Sequence, residues 1–277
     1  AVGAGQNVRR QAGDVAAGTT VLPQGLRVSA RQVALLAGIG RYRVKVVPAP
    51  RVVIVSIGDE LVEPGQSRDA GDVFDANGHA LASAVTDAGG RAFRVAAVPD
   101  ELSALAETIE DQLVRADVLI TTGGLSVGQG DTVKDVLAPL GSVRFDAVAM
   151  VPGRQLGLGT VEDTPIFCLP GDPASAQIAF EAFVRPVLRQ LAGRQDLHRS
   201  SLPAAISAGW QSPAGRREFV PVLLTGSPSR GYAAAPTSRP GTTSLLGLAR
   251  ANALAVVPEA TRTVVAGDAL HCLLLDA

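Results

Sequence analysis

Between Asp117 and Asp131 an apolar run, Val118-Leu119-Ile120, enters a segment filled by Thr121, Thr122, Gly123, Gly124, Ser126, Gly128 and Gly130, and Asp131 closes it. Glycines at such spacing let the backbone take positive φ and come close to a ligand. Amide N–H groups gathered where a strand turns into a helix form a cradle for an anion. Asp131 is placed to cap a helix over Thr132 to Leu140. The chemistry predicted is the seating of a small anionic ligand, phosphate-bearing or pterin-like. The loop lacks the Gly-Lys-Ser/Thr of a P-loop. Its glycines are also not spaced Gly-x-Gly-x-x-Gly, which argues against a dinucleotide site.

Four further stretches carry chemistry of the same kind. Ser56-Ile-Gly-Asp59-Glu60-Leu61 sets two carboxylates directly after an apolar strand, where Asp59 and Glu60 are expected to hold a divalent cation or hydrogen-bond a ligand, unless Asp59 only caps the turn. In Phe74-Asp75-Ala76-Asn77, Asp75 and Asn77 open a helix and are candidates to cap it or to touch the ligand. Val151-Pro152-Gly153-Arg154-Gln155 holds an arginine suited to clamp an oxyanion. Leu169-Pro170-Gly171-Asp172-Pro173-Ala174-Ser175 is a rigid loop that leads into a helix, a second place for an anion.

These loops need a scaffold that brings them together. Residues 51–193 alternate strand and helix patterns. Val52 to Ile57 is a continuous apolar run suited to a buried parallel strand, and further strands are expected over Ala92 to Val98, Phe145 to Val151, Leu156 to Leu158 and Pro165 to Leu169. Helices are expected over Asn77 to Ala88, after a cap at Asp100 and over Ala174 to Leu191. This order predicts an α/β fold with a three-layer, mostly parallel central domain, in which ligands lie beyond the carboxyl ends of the strands. Two smaller β-rich domains are expected to flank it. Residues 1–46 read as short strands with one helix near Ser29 to Leu36, residues 47–193 as the central domain, and residues 194–277 as a β-barrel or sandwich.

Bulk composition bounds the rest. A chain of 277 residues that is 47% hydrophobic can bury a substantial core, and a net charge of −1 gives no broad basic face for nucleic acid. No apolar run reaches membrane-spanning length. Cys168 and Cys272 lie in apolar runs and are expected to be buried thiols of a cytoplasmic protein. No His/Cys cluster has zinc spacing. The chain opens on Ala1 and reads as mid-domain, so a preceding segment is expected to be missing.

Taken in order, Gly58-Asp-Glu-Leu61, Asp75-Ala-Asn77, Thr122-Gly-Gly-Leu-Ser-Val-Gly128 with Asp131, Pro152-Gly153 and Leu169-Pro-Gly-Asp-Pro-Ala-Ser175 resemble the molybdopterin molybdenumtransferases, the MoeA and gephyrin E-domain family. Gln6-Asn-Val-Arg-Arg10 resembles that family's second, β-rich domain, and Gly215-Arg216-Arg-Glu-Phe219 its C-terminal barrel. The resemblance implies magnesium-dependent insertion of molybdenum from molybdate into adenylylated molybdopterin, with loss of AMP. A non-catalytic pterin-binding or scaffold homologue is the alternative. It also implies a small-molecule pterin nucleotide as ligand, a homodimer, and a molybdopterin adenylyltransferase as a possible partner. On this reading Asp59, Asp131 and Arg154 are catalytic, and Asp59 and Asp131 hold the Mg²⁺. Asp75, Asn77, Thr122, Gly123, Gly124, Ser126, Gly128, Pro152, Gly153, Gly171, Asp172, Ser175 and Arg216 bind substrate. The chain departs from the family where Val151-Pro-Gly-Arg-Gln155 replaces Lys-Pro-Gly-Lys-Pro, where Gln129 replaces an acidic residue, where Asp172 replaces Asn, and where Thr242-Thr-Ser244 replaces Ser-Ser-Arg.

Overall fold

The computed structural model describes residues 2–125 and 132–275. Its first helix, α1 (Ala30–Gly38), lies where a short helix is expected. The expected strands around it are not found: among residues 2–50 no other regular element forms, and most side chains are exposed. A strand needs a partner for its backbone groups, and the described residues offer this segment none.

The α/β alternation follows. β1 (Arg51–Ser56) leads to the short parallel pair β2 (Leu61–Val62) and β3 (Val73–Phe74), then α2 (Ala76–Ala88), β4 (Arg91–Arg94), α3 (Leu102–Leu113), β5 (Val118–Thr122) and α4 (Thr132–Leu140). β6 (Gly141–Ala147), β7 (Met150–Val151), β8 (Gln155–Val161) and β9 (Thr164–Leu169) come next. A continuous helical stretch closes the domain: α5 (Pro173–Ala179), one π turn over Phe180–Val184, and α6 (Arg185–Leu191). The sheet order is β4-β1-β5-β9-β8-β6, parallel across the first four strands and antiparallel across the last two.

Burial explains the three layers. Along β1, Val52 and Ile54 face a core that includes Leu81 and Val85 of α2 and Ile178 of α5, while Val53 and Val55 face Leu105 and Ile109 of α3 and Val133 and Leu137 of α4. A strand apolar on both faces must be covered on both, and helices on each side do this. Asp100 does not cap α3: the N-cap position is Glu101, without a side-chain cap bond.

The remaining strands, β10 (Ser201–Ile206), β11 (Trp210–Gln211), β12 (Arg217–Ser227), β13 (Gly231–Pro236), β14 (Ala253–Val257), β15 (Thr263–Val264) and β16 (Ala269–Leu274), carry one helix among them, α7 (Leu245–Arg250). Five strands close on themselves in the order β13-β10-β16-β14-β12, because β12 also pairs with β13. Val220, Val222, Ala234, Leu270 and Cys272 are among the side chains filling the ring. β7 joins this barrel and not the central sheet, pairing in parallel with the start of β12, Met150 opposite Arg217 and Val151 opposite Glu218. The connection between the two units is pinned by ion pairs: Arg199 meets both oxygens of Glu181 at 2.8 Å, and Asp196 is shared by Arg189 and Arg194. Burial, reinforced by the nearby Arg199 charge, pushes the Arg185 guanidinium down to about 10.

Candidate functional site

The register of the parallel strands levels their ends. Ser56 lies opposite Thr122, and Thr122 opposite Leu169, so the segments after β1, β5 and β9 leave the sheet side by side. They open a cleft of about 820 Å³. One wall is Ile57, Gly58, Glu60 and Leu61. The floor is Asn77, Thr122, Gly123, Gly124 and Leu125. The far side is Pro170, Gly171 and Ser175, with Asp100 and the Gly153-Arg154-Gln155 segment completing the rim.

Local chemistry holds these pieces in place. Asn77 donates one amide hydrogen to Thr122 Oγ1 and the other to the Gly171 carbonyl, each at 2.8 Å, and Thr122 Oγ1 donates to the Pro170 carbonyl at 3.0 Å. Three loops distant in sequence are thereby laced together. Gly123 has φ +90°, and a Cβ there would lie 2.2 Å from the Ile57 carbonyl oxygen. Only glycine fits so close to that neighbouring strand end. The 148–154 segment leaves the central sheet at Ala147 and returns at Gln155, which face each other across the β6–β8 ladder. It is closed at its base by Val148 N–H donating to the Arg154 carbonyl at 2.8 Å.

Charge around the cleft is mixed. Glu60 and Asp100 bring carboxylates, and Arg154, exposed at the rim, is the one Lys or Arg among the lining residues described. Ser175 is 5% exposed. Its N–H and its hydroxyl both donate to Asp172 Oδ2, at 2.8 and 2.6 Å.

Residues 53–190 match the family described as a probable molybdopterin binding domain, and residues 203–275 match the MoeA C-terminal region, domain IV. Molybdopterin molybdenumtransferase 2 of Mycobacterium tuberculosis is 37% identical over 273 residues, covering 96% of this chain and 67% of that protein. Molybdopterin molybdenumtransferase 1 of the same organism is 35% identical over 277 residues, with 98% and 65% covered. The chain belongs to the molybdopterin molybdenumtransferase family. Among solved structures, the molybdopterin biosynthesis MoeA protein from Pyrococcus horikosii superposes with a TM-score of 0.79 at 29% identity, over 91% of this chain and 61% of that one. The chain thus spans about two thirds of the length of these molybdenumtransferases.

In this member of the molybdenumtransferase family, eight of the residues expected at the site line the cleft: Asn77, Thr122, Gly123, Gly124, Gly153, Arg154, Gly171 and Ser175. Ser126, Gly128 and Asp131 lie outside the described residues. The others are elsewhere. Asp59 is exposed beside the cleft, and its Oδ1 accepts the Asp100 N–H at 3.1 Å. Asp75, 1% exposed, caps α2 through the Gly78 N–H and pairs with Arg94 at 3.2 Å. Arg94 also binds Glu63 and, through that hydrogen bond, holds its carboxyl below the usual carboxylate range. Pro152 faces a small separate hollow against β12, Asp172 caps α5 and accepts from Ser175, and Arg216 is a half-buried residue just before β12. Glu60 is one of the two carboxylates expected after β1, while Asp100, expected only to cap a helix, is the lining residue that sequence reasoning passed over. Asp100 follows β4, and its position past a parallel strand's carboxyl end was the available signal.

No helix of the described residues is long and apolar enough to cross a membrane.

Proposed function

We propose that this cleft is where molybdenum from molybdate is inserted into adenylylated molybdopterin with release of AMP. The observation that carries the reading is the convergence of Thr122-Gly123-Gly124, Pro170-Gly171 and Gly153-Arg154 on one cleft at the level ends of three parallel strands. Backbone amides and one guanidinium suit a polyanion, and most of the work asked of them is positioning and charge stabilisation. Arg154 clamps an oxyanion at the rim. Asn77 and Thr122 hold the floor rigid, and Gly123 and Gly124 let the loop pack closely against Ile57 and Val133 beneath it. Ser126, Gly128 and Asp131 are assigned to the same site from the sequence alone. The relatives named as transferases favour this enzyme over a non-catalytic binder.

The residues present also fit a magnesium ion. Among the described residues no three His, Cys, Asp or Glu side chains cluster as a chelate, but magnesium commonly needs only one or two carboxylates plus substrate phosphates. Glu60 and Asp100 are the lining carboxylates that would hold it, with Asp59 bonded to the Asp100 N–H, and the sequence alone assigns Asp131 to the same ion. When bound it supplies neutralisation of phosphate charge.

The chain reads as a central unit over 47–193 and a barrel over 194–277, preceded by residues 1–46 of a further domain. It works as a cytoplasmic homodimer that receives its pterin nucleotide from an adenylyltransferase. The test is AMP release from adenylylated molybdopterin with molybdate and magnesium supplied. Release that depends on both is expected. No release from competent substrate, under conditions where a related transferase turns over, rejects the reading.

A further inference from the structure

Glu60 stands on the cleft wall with its main chain fixed and its carboxylate uncommitted. Its carbonyl accepts the Val73 N–H at 2.8 Å. Among the described residues its carboxylate meets no hydrogen-bond donor and no cation. That carboxylate lies folded back over Gly58, which belongs to the same wall. A Cβ on Gly58 would stand 2.7 and 2.9 Å from the two Glu60 carboxylate oxygens, well inside contact distance. The Gly58 main chain is held on both sides: its N–H donates to the Val98 carbonyl at 3.1 Å, and its carbonyl accepts the Leu61 N–H at 3.3 Å. With both backbones tied, the Glu60 side chain is the part that would yield to a methyl group.

We infer that Gly58 is a positioning residue: its missing side chain leaves the berth that keeps the Glu60 carboxylate at the cleft wall, within reach of a divalent cation. This rests on the reading of Glu60 as a magnesium carboxylate. Magnesium takes oxygen ligands at about 2.0–2.1 Å in near-ideal octahedral geometry, so a carboxylate pushed from its place is lost to it. Alanine at 58 should therefore act as Glu60→Gln does, although it removes no charge. Asp59 is no substitute, because its Oδ1 already accepts the Asp100 N–H at 3.1 Å. Alanine also resists the φ of +158° at this position, and a double-variant cycle separates that strain from the displacement.

The test uses Mn²⁺ alone as the probe, titrated into the wild-type chain, Gly58→Ala, Glu60→Gln and the double variant, with the free ion measured by electron paramagnetic resonance. Wild type is expected to hold Mn²⁺ about ten-fold tighter than Glu60→Gln, and Gly58→Ala to fall to that weaker level. The double variant should be no weaker than Glu60→Gln. Wild type no tighter than Glu60→Gln overturns the inference, and so does Gly58→Ala binding as wild type does. A further loss in the double variant also overturns it, since the strained backbone would then be the cause. Thermal unfolding shows whether each variant is folded. Should Gly58→Ala not fold, Glu60→Asp decides: its carboxylate, one methylene shorter, misses the place over Gly58, and affinity equal to wild type overturns the inference. Because metal binding is read without turnover, absence of AMP release would reject the proposed reaction and leave this inference standing.

Discussion

Asn77 and Thr122, 45 residues apart in the chain, share a buried hydrogen bond of 2.8 Å that ties the start of α2 to the end of β5. The second amide hydrogen of Asn77 reaches the Gly171 carbonyl, so one side chain fixes the spacing of two loops. Asn77→Ala is expected to lower stability by about 1–3 kcal/mol, the cost of stranding partly buried acceptors. Urea unfolding measures it, and an unchanged midpoint would mean that the tie does not matter.

Gly123→Ala should be worse. The new Cβ would lie 2.2 Å from the Ile57 carbonyl oxygen, at a backbone φ of +90° that alanine resists. A loss of roughly 2–4 kcal/mol is expected from overpacking and backbone strain together. Gly89→Ala, also at positive φ but with open space around its Cβ, is the control and should cost less.

Arg154 is exposed at the rim of the cleft, and the proposed function gives its guanidinium an oxyanion to clamp. Arg154→Ala should leave the unfolding free energy within about 0.5 kcal/mol of wild type. It should weaken oxyanion binding by roughly ten-fold, and Arg154→Lys should recover only part of that. Equal affinity in wild type and the alanine variant would remove Arg154 from the site.

Acid stability should report on Asp196. Its hydrogen bond from Arg194, with the Arg189 charge nearby, brings its carboxyl down from 3.8 to about 2. A carboxyl depressed in the folded state stabilises above its ordinary value, and that contribution fades as pH falls from 3.8 toward about 2. The side chain is 62% exposed, so solvent screens the effect and it is small. Melting curves of wild type and Asp196→Asn should differ most near neutral pH and converge across that acid window. A constant offset at every pH would show that ionisation is not the cause.

Cys272 sits inside the barrel, and burial pushes its thiol up to about 11. Cys168 is fully buried in the central domain. Neither should react with a thiol reagent at pH 8 until the protein is unfolded, when both should. Rapid labelling of the native chain would contradict this packing.

Much of the central domain was legible because burial writes itself locally. Val52 to Ile57 and Val118 to Ile120 are apolar on both faces, and α4 spans Thr132–Leu140 as its spacing predicts. Less could be read where the partner lies far off in sequence. The strand Gly231–Pro236 is mostly glycine and alanine and carries no alternation, yet it closes the barrel. Met150–Val151 reads as the tail of the preceding strand but pairs with a strand that begins at Arg217. At the site, sequence found the loops better than the side chains within them. Which of Asp59 and Glu60 lines the cleft, and that Asp100 does so too, depend on how a turn points its carboxylates, which residue types do not specify.

The excursion between Ala147 and Gln155 behaves as a span with piers on two banks. Its feet stand on the central sheet, its middle is moored to the barrel at Arg217 and Glu218, and Arg154 rides on it. A tilt of the barrel would therefore be felt at the rim as a change in the arginine's reach, with no need for the floor beneath it to move.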